Sequence, residues 1–314
     1  RAAGADAEEQ GVGRERVHRR DLDAARKAGN KGAMDADALF AHAAAALRAN
    51  RVAEARDLFG RAGEAGSREG AVIYCNLTAS RVDWEEGLRM LRGLARISPR
   101  CRRELEIVEA MAPGPPPPGE IVSEAPHLTL FRGLFTPAEC RYLIAAATPM
   151  LEASVVVDPA TGRQRPDPVR ISDGVGFTLP LENPAVHALG RRIAAASGTD
   201  VAQGEPLQVL RYRPGGEYKP HFDAIPGFAN QRILTMLVWL NGDYEGGETM
   251  FMKTGAKLKG GTGDALLFRN ALPDGTRDPD AGHAGLPVTR GEKLIASRWI
   301  RARPFEMPVD GLAR

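Results

Sequence analysis

His221-Phe222-Asp223 sets an imidazole and a carboxylate two residues apart in a run, Tyr218 to Asp223, that reads as a strand. Side chains two apart on a strand leave the same face, so His221 and Asp223 aim together while Phe222 points away. One imidazole and one carboxylate make two-thirds of the facial triad that holds non-haem iron(II) with open coordination positions. A third ligand must come from a neighbouring strand. Of the six histidines, His18, His42, His127 and His187 fall on the expected tail, helices or first strand. His283 stands just before the final strand, beside a Gly-rich turn, where a jelly roll can bring it opposite. Alone, an HxD pair is a weak signal, and a strand-edge hydrogen bond is the plain alternative.

Lys293 adds to it. It follows His283 by ten residues and begins the last expected strand, on which Leu294, Ala296 and Arg298 share one face. A buried cation there needs an anion, and no carboxylate nearby in sequence supplies one. The distal carboxylate of a keto-acid cosubstrate would. Tyr212 on the preceding strand and Thr249 in Gly246-Gly247-Glu248-Thr249 could hydrogen-bond the same carboxylate, although ordinary cross-strand packing also accounts for both.

The elements that must position these residues lie after a sharp break. Pro113-Gly114-Pro115-Pro116-Pro117-Pro118-Gly119 lacks the N–H groups a helix or central strand needs and favours extended polyproline geometry. Residues 113–126 are therefore expected to be a linker. Beyond it the period is two: His127 to Phe131 alternates as a strand, and 205–214, 217–223, 233–240, 249–253, 264–269 and 293–302 follow as strands between Gly-, Pro- and Asp-rich turns. Thr136-Pro137-Ala138-Glu139 and Asn183-Pro184 open two helices between them, the first with a capping box, and Gly198 closes the second. Many short strands near the end of a chain suggest a sandwich or jelly roll.

Before the break, 35–112 reads as helical. Leu39, Phe40, Ala43, Ala44 and Leu47 follow a cap at Asp35 or Asp37, then Val52, Ala55, Leu58, Phe59 and Ala62. Further helices are expected around Val72 to Leu77 and Trp84 to Ala95. Ala55, Phe59 and Ala62 superimpose on Gly87, Leu91 and Leu94 at a shift of about 32 residues, near the period of helix–turn–helix repeats. This resembles a short tetratricopeptide- or Sel1-type array; a plain helical bundle is the alternative. The expected division is a flexible tail at 1–34, the helical region at 35–112, the linker, a catalytic domain at 127–304 and a C-terminal tail at 305–314. The fold class is α+β: a double-stranded β-helix with flanking helices, preceded by a small all-α domain.

Taken together, the run Gln208 to Asp223, then Arg232-Ile233-Leu234-Thr235-Met236-Leu237-Val238-Trp239-Leu240-Asn241, Glu245-Gly246-Gly247-Glu248-Thr249, Gly263-Asp264-Ala265-Leu266-Leu267-Phe268, His283, Gly291-Glu292-Lys293 and Trp299-Ile300-Arg301 closely resembles the core of prolyl 4-hydroxylases of the collagen and algal type. The resemblance covers about 127–304. It implies an Fe(II)/2-oxoglutarate-dependent dioxygenase that hydroxylates a peptidyl proline or other residue while converting 2-oxoglutarate and O2 to succinate and carbon dioxide, with ascorbate as reductant. It implies His221, Asp223 and His283 as iron ligands and Lys293 as partner of the 2-oxoglutarate C5 carboxylate, supported by Tyr212 and Thr249. The place of Lys293 fits this branch better than the hypoxia-sensing prolyl hydroxylases, which use an Arg nine residues after the distal His; that position here is Glu292. Arg232, Trp299, Tyr218 and Arg170 match positions near the substrate groove. Val156-Val157-Asp158 and Val169 to Ser172 resemble the mobile loop over it. The segment Ala224 to Gln231 is shorter than the family often carries.

The bulk numbers are compatible and exclude little. A net charge of +2 gives no reason to expect nucleic acid or an acidic membrane surface as partner. Arg100-Cys101-Arg102-Arg103 reads as a solvated helix face rather than a binding patch. The odd, scattered cysteines Cys75, Cys101 and Cys140 suggest no disulfide framework, so a reducing, cytoplasmic setting is expected. The chain starts at Arg1 without methionine, which leaves an upstream targeting segment open. The expected partner is a peptide or protein substrate, with no indication of oligomeric state. A hydroxylase of small molecules or free amino acids on the same scaffold is the second reading, and an inert barrel carrying partner-binding helices the third. The intact HxD, distal His and Lys argue against the last.

Overall fold

The computed structural model describes residues 34–111, 114–157, 164–166 and 168–309. Five helices come first: α1 (Ala36–Arg48), α2 (Val52–Glu64), α3 (Arg68–Arg81), α4 (Trp84–Ala95) and α5 (Pro99–Ala110). The side chains of Asp35, Ser67, Asp83 and Ser98 each accept a hydrogen bond from the backbone N–H three residues on, satisfying a donor that a helix start leaves open. Helix starts repeat at 32 residues, from Ala36 to Arg68 and from Val52 to Trp84. Phe59 and Leu91, one period apart, are both buried. Helix α5 extends the series past the four helices expected. Each helix packs on the next, and small residues set how closely. A Cβ on Gly87 would stand 2.3 Å from the Cβ and 2.5 Å from the Cα of Ala79 on α3. Gly87→Ala should therefore lower stability, by about 1–3 kcal/mol of overpacking, although alanine is the better helix former by about 1 kcal/mol. Chemical denaturation checks this; a stabilised variant would mean that α3 and α4 do not approach so closely in solution.

The helices pack directly on the strand-rich half of the chain. Their core, Leu47, Phe59, Ile73 and Leu77, also takes in Leu179 and Met307. The Asn76 amide donates to the Pro180 carbonyl at 3.2 Å, and Arg81 pairs with the buried Glu182 at 3.4 Å. Two expectations change accordingly. Residues 305–309 are not a free tail: Met307 is buried, and the Leu179 N–H donates to the Pro308 carbonyl. The linker is also shorter than 113–126, because strand β1 (Gly119–Glu124) pairs with β2 (His127–Phe131) and joins the main sheet. Proline ends at 118, so every residue from Gly119 to Glu124 has an N–H to offer a ladder. Asp158 of the expected mobile loop, residues 1–33 and 310–314 lie outside the described residues.

The strands continue with β3 (Glu152–Ala153), β4 (Val155–Val157), β5 (Gln164–Pro166), β6 (Asp173–Gly176), β7 (Gln208–Tyr212) and β8 (Tyr218–His221). Then come β9 (Arg232–Trp239), β10 (Glu245–Gly246), β11 (Thr249–Phe251), β12 (Lys257–Leu258), β13 (Ala265–Arg269), β14 (His283–Gly285), β15 (Val288–Arg290) and β16 (Lys293–Arg301). Between them, α6 (Pro137–Ala147) carries the capping box of Thr136 and Glu139, and α7 (Pro184–Ser197) ends at Gly198, whose φ of +67° suits glycine. An eight-stranded antiparallel sheet runs β1-β2-β13-β9-β16-β7-β6-β3, and a smaller one runs β12-β11-β14-β8. This is a jelly-roll domain preceded by helices. The period of two divides the large sheet. Val209, Met236, Val238, Leu294, Ala296 and Ile300 share a core with α6 and α7. Their neighbours Leu210, Tyr212, Leu237 and Ile295 turn to the other face, which becomes the floor of the site.

Candidate metal and cosubstrate site

The pairing of β14 with β8 brings the two histidines together. His283 is the register partner of His221, so both leave the same face, with ring centroids 4.3 Å apart. Strand β8 is shorter than the expected 217–223 and stops at His221; Asp223 stands in the turn that follows. Its carboxylate still reaches both rings. Oδ1 lies 3.6 Å from His221 Nε2, and Oδ2 lies 3.8 Å from His283 Nε2. One ligand atom from each of the three residues lies within 4.8 Å of the other two.

Both imidazoles are oriented from behind. His221 Nδ1 lies 2.8 Å from the Lys219 carbonyl and His283 Nδ1 lies 2.9 Å from that of Ala281. A carbonyl only accepts, so each Nδ1 carries the proton and each Nε2 presents a lone pair to the common point. Burial pushes His221 down to about 4, which keeps it a neutral ligand near pH 7. Tyr218 stacks on the His221 ring at 3.5 Å, while Phe251 and Phe268 flank His283.

The carboxylate is held by two residues that sequence reasoning misses. Thr235 Oγ1 donates to Asp223 Oδ2 at 2.6 Å, and Asn270 Nδ2 donates to Thr235 Oγ1 at 2.7 Å. Both residues are buried. A hydroxyl has one proton; because Asn270 donates to it, that proton goes to Asp223. Thr235 belongs to the face of β9 that looks into the site, which alternation along 232–239 could have indicated. Nothing local marks Asn270, which sits past the end of β13. Thr235→Val keeps the shape, removes this hydrogen bond and should weaken divalent-metal binding roughly 10–100-fold, whereas Thr235→Ser should hold close to wild type. Titration of cobalt(II) into apo-protein reads this without turnover, and equal affinity in the valine variant would show that Asp223 needs no such support.

Lys293 enters from β16, opposite Tyr212 of β7. It is buried, and its Nζ donates to the Gly247 carbonyl at 2.6 Å and sits 5.4 Å from the Tyr212 ring centroid. Among the described residues no carboxylate stands within salt-bridge distance of it. Burial lowers its pKa to about 8, against the charge of Glu248, which raises it. The pocket that contains the three metal-ligand candidates is also lined by Lys293, Tyr212, Thr249, Tyr218, Arg170 and Trp299. Arg232 does not line it. Its guanidinium forms two hydrogen bonds to the buried Glu205, at 2.6 and 2.8 Å, and lies 3.6 Å from the Trp299 ring centroid, so it backs Trp299 rather than facing the opening.

Two imidazole nitrogens and one carboxylate on one side of a cavity suit a first-row divalent metal with positions left open. A buried lysine lining the same pocket suits a dicarboxylate chelating that metal. Residues 207–301 match the 2OG-Fe(II) oxygenase superfamily. Over 203 residues the chain is 38% identical to prolyl 4-hydroxylase 1 of Arabidopsis thaliana, covering 59% of this chain and 72% of that protein. Over 212 residues it is 34% identical to probable prolyl 4-hydroxylase 10 of the same plant, covering 60% and 73%. A solved viral collagen prolyl hydroxylase from Paramecium bursaria Chlorella virus-1, in complex with 2OG, is 29% identical, with a TM-score of 0.47 and coverage of 58% of this chain and 99% of that one. The chain belongs to the prolyl 4-hydroxylase family of 2OG-Fe(II) oxygenases. It is a 2-oxoglutarate-dependent dioxygenase, using iron(II), 2-oxoglutarate and O2.

Proposed function

We propose that this enzyme hydroxylates a proline, or another residue, within a peptide or protein, with His221, Asp223 and His283 as the iron ligands and Lys293 as the anchor of 2-oxoglutarate. The observation that carries the site assignment is the convergence of two Nε2 atoms and a carboxylate in one pocket with a buried lysine that has no carboxylate partner among the described residues. The peptidyl substrate is supported by the relatives, which are named prolyl 4-hydroxylases.

When bound, iron(II) with 2-oxoglutarate supplies the oxidation: 2-oxoglutarate loses carbon dioxide to become succinate, one atom of O2 enters succinate, and the other enters a substrate C–H bond as hydroxyl. The chain's own residues do the rest. His221, Asp223 and His283 would hold the metal through two imidazole nitrogens and a carboxylate oxygen, a donor set that suits iron(II) with positions to spare for cosubstrate and O2. The Lys293 ammonium pairs with the C5 carboxylate, and Tyr212 and Thr249 support it by hydrogen bonding. Tyr218, Trp299 and Arg170 line the opening, where the residue to be hydroxylated is held against the metal. Ascorbate serves as reductant.

Succinate formation with iron(II), ascorbate and air, with and without proline-containing peptides, tests this. Succinate stimulated by peptide, with a matching gain of one oxygen on the peptide, is the expected result. Turnover that no peptide stimulates, but a free amino acid does, would move the substrate to the small-molecule class and overturn the peptidyl assignment.

A further inference from the structure

Phe222 stands between two of the proposed iron ligands in sequence, yet it does not line their pocket. Its side chain leaves the other face of the strand end and is 37% exposed, so most of its surface is covered. What covers it ties it to the third ligand. An ideal Cβ on Gly282 would lie 3.0 Å from Phe222 Cζ, 3.2 Å from Cε1 and 3.6 Å from Cε2. The tip of the ring therefore rests on the residue immediately before His283. The Arg277 guanidinium carbon lies 4.2 Å from the ring centroid and holds the ring by a cation–π contact.

This contact falls where the backbone gives no support. The pairing of β8 with β14 ends at His221 and His283. One position further on each side, residues 222 and 282 have no backbone hydrogen bond to each other. The Gly282 carbonyl turns instead to β11 and its flank, accepting the Met252 N–H at 2.8 Å. What joins the two arms there is the Phe222 ring laid over a glycine, a cross-strand pair in which the aromatic side chain covers backbone that glycine leaves bare. The backbone at Gly282, with φ −61° and ψ 124°, suits any residue, so glycine serves here by leaving room for the ring. The loop that brings Arg277 is itself fixed: Arg277 bridges to Ala271, and the buried Asp278 after it accepts from Arg269 Nε at 2.9 Å.

We propose that Phe222 is a positioning residue of the metal site. Its ring, seated on Gly282 and held by Arg277, sets the separation between the arm that carries His221 and Asp223 and the arm that carries His283. The inference rests on the ligand assignment proposed above. It adds a support from outside the pocket to the hydrogen bond that Thr235 supplies within it.

Cobalt(II) titration into the apo form of the full chain reads this geometry without turnover, through affinity and through the d–d absorption of the bound ion. Phe222→Ala should weaken cobalt binding roughly tenfold, as loss of a group that orients metal ligands does, and should alter the d–d bands. Phe222→Met, which keeps an apolar chain long enough to lie on Gly282, should retain most of the affinity. Gly282→Ala sets a methyl against the ring and should cause a loss similar to that of Phe222→Ala, although the backbone there accepts alanine. In the double variant Phe222→Ala/Gly282→Ala the methyl enters the space the ring has left. The second substitution should then cost nothing further, or restore part of the affinity. Single variants that unfold in less urea but bind cobalt with wild-type affinity and spectrum would overturn the proposal, because the ring would then be surface packing alone. Losses that simply add in the double variant would overturn it too, since the ring would not act through Gly282. If Asp223→Ala binds cobalt like wild type, the ligand assignment itself fails and the inference falls with it.

Discussion

Asp223→Ala is expected to reduce turnover to background and to leave the purified protein without stoichiometric iron. Asp223 supplies the one anionic ligand of the proposed set and lies between the two imidazoles, 3.6 and 3.8 Å from their Nε2 atoms. Removing it leaves two neutral nitrogens for a dication and strands the Thr235 hydroxyl that donates to it. The fold should survive, because Asp223 lies in a turn after β8 and contributes to no ladder. Metal analysis after desalting, succinate formation and circular dichroism together check the result. Full iron occupancy in a folded variant would move the metal elsewhere and sink the ligand assignment.

Lys293→Ala is expected to raise the KM for 2-oxoglutarate roughly 100-fold, the cost of about 3 kcal/mol for truncating one partner of a buried charged pair, with a smaller effect on kcat. The same residue sets a pH dependence whose sign is fixed by its position. Burial holds the free ammonium at about 8, and only the protonated form pairs with a carboxylate. As pH rises through 8 the free enzyme loses that proton, and 2-oxoglutarate must bind with proton uptake. The KM should be flat below about pH 7 and climb about tenfold per unit above 8. In Lys293→Ala the high KM should no longer climb. A wild-type KM that is level from pH 7 to 9.5 would take Lys293 out of the cosubstrate site.

Much of this was legible in the residues. Thr136 to Glu139 and Asn183-Pro184 announced α6 and α7, because caps are local hydrogen bonds between residues three apart. The shift of 32 residues in the first half appeared as repeated helix starts, since each repeat meets the same packing environment. His221 and Asp223, two apart, converge as their spacing implies, although Asp223 does so from a turn. Lys293 proved to be buried without a carboxylate partner among the described residues, as its place at the head of an apolar strand suggested.

What the tertiary structure decided involves pairing across long separations in the chain. His283 lies opposite His221 only through the register of β14 on β8, and a slip of one residue would turn one ring to the other face. The relay from Asn270 through Thr235 to Asp223 joins residues 35 and 12 positions apart, and no local pattern carries it. The pairing of β1 with β2 and the burial of Met307 among the helices are of the same kind. Composition and spacing determine which face a side chain leaves from and where a helix begins; which faces then meet depends on closing loops of tens to hundreds of residues around a shared core, and that free energy belongs to the whole chain.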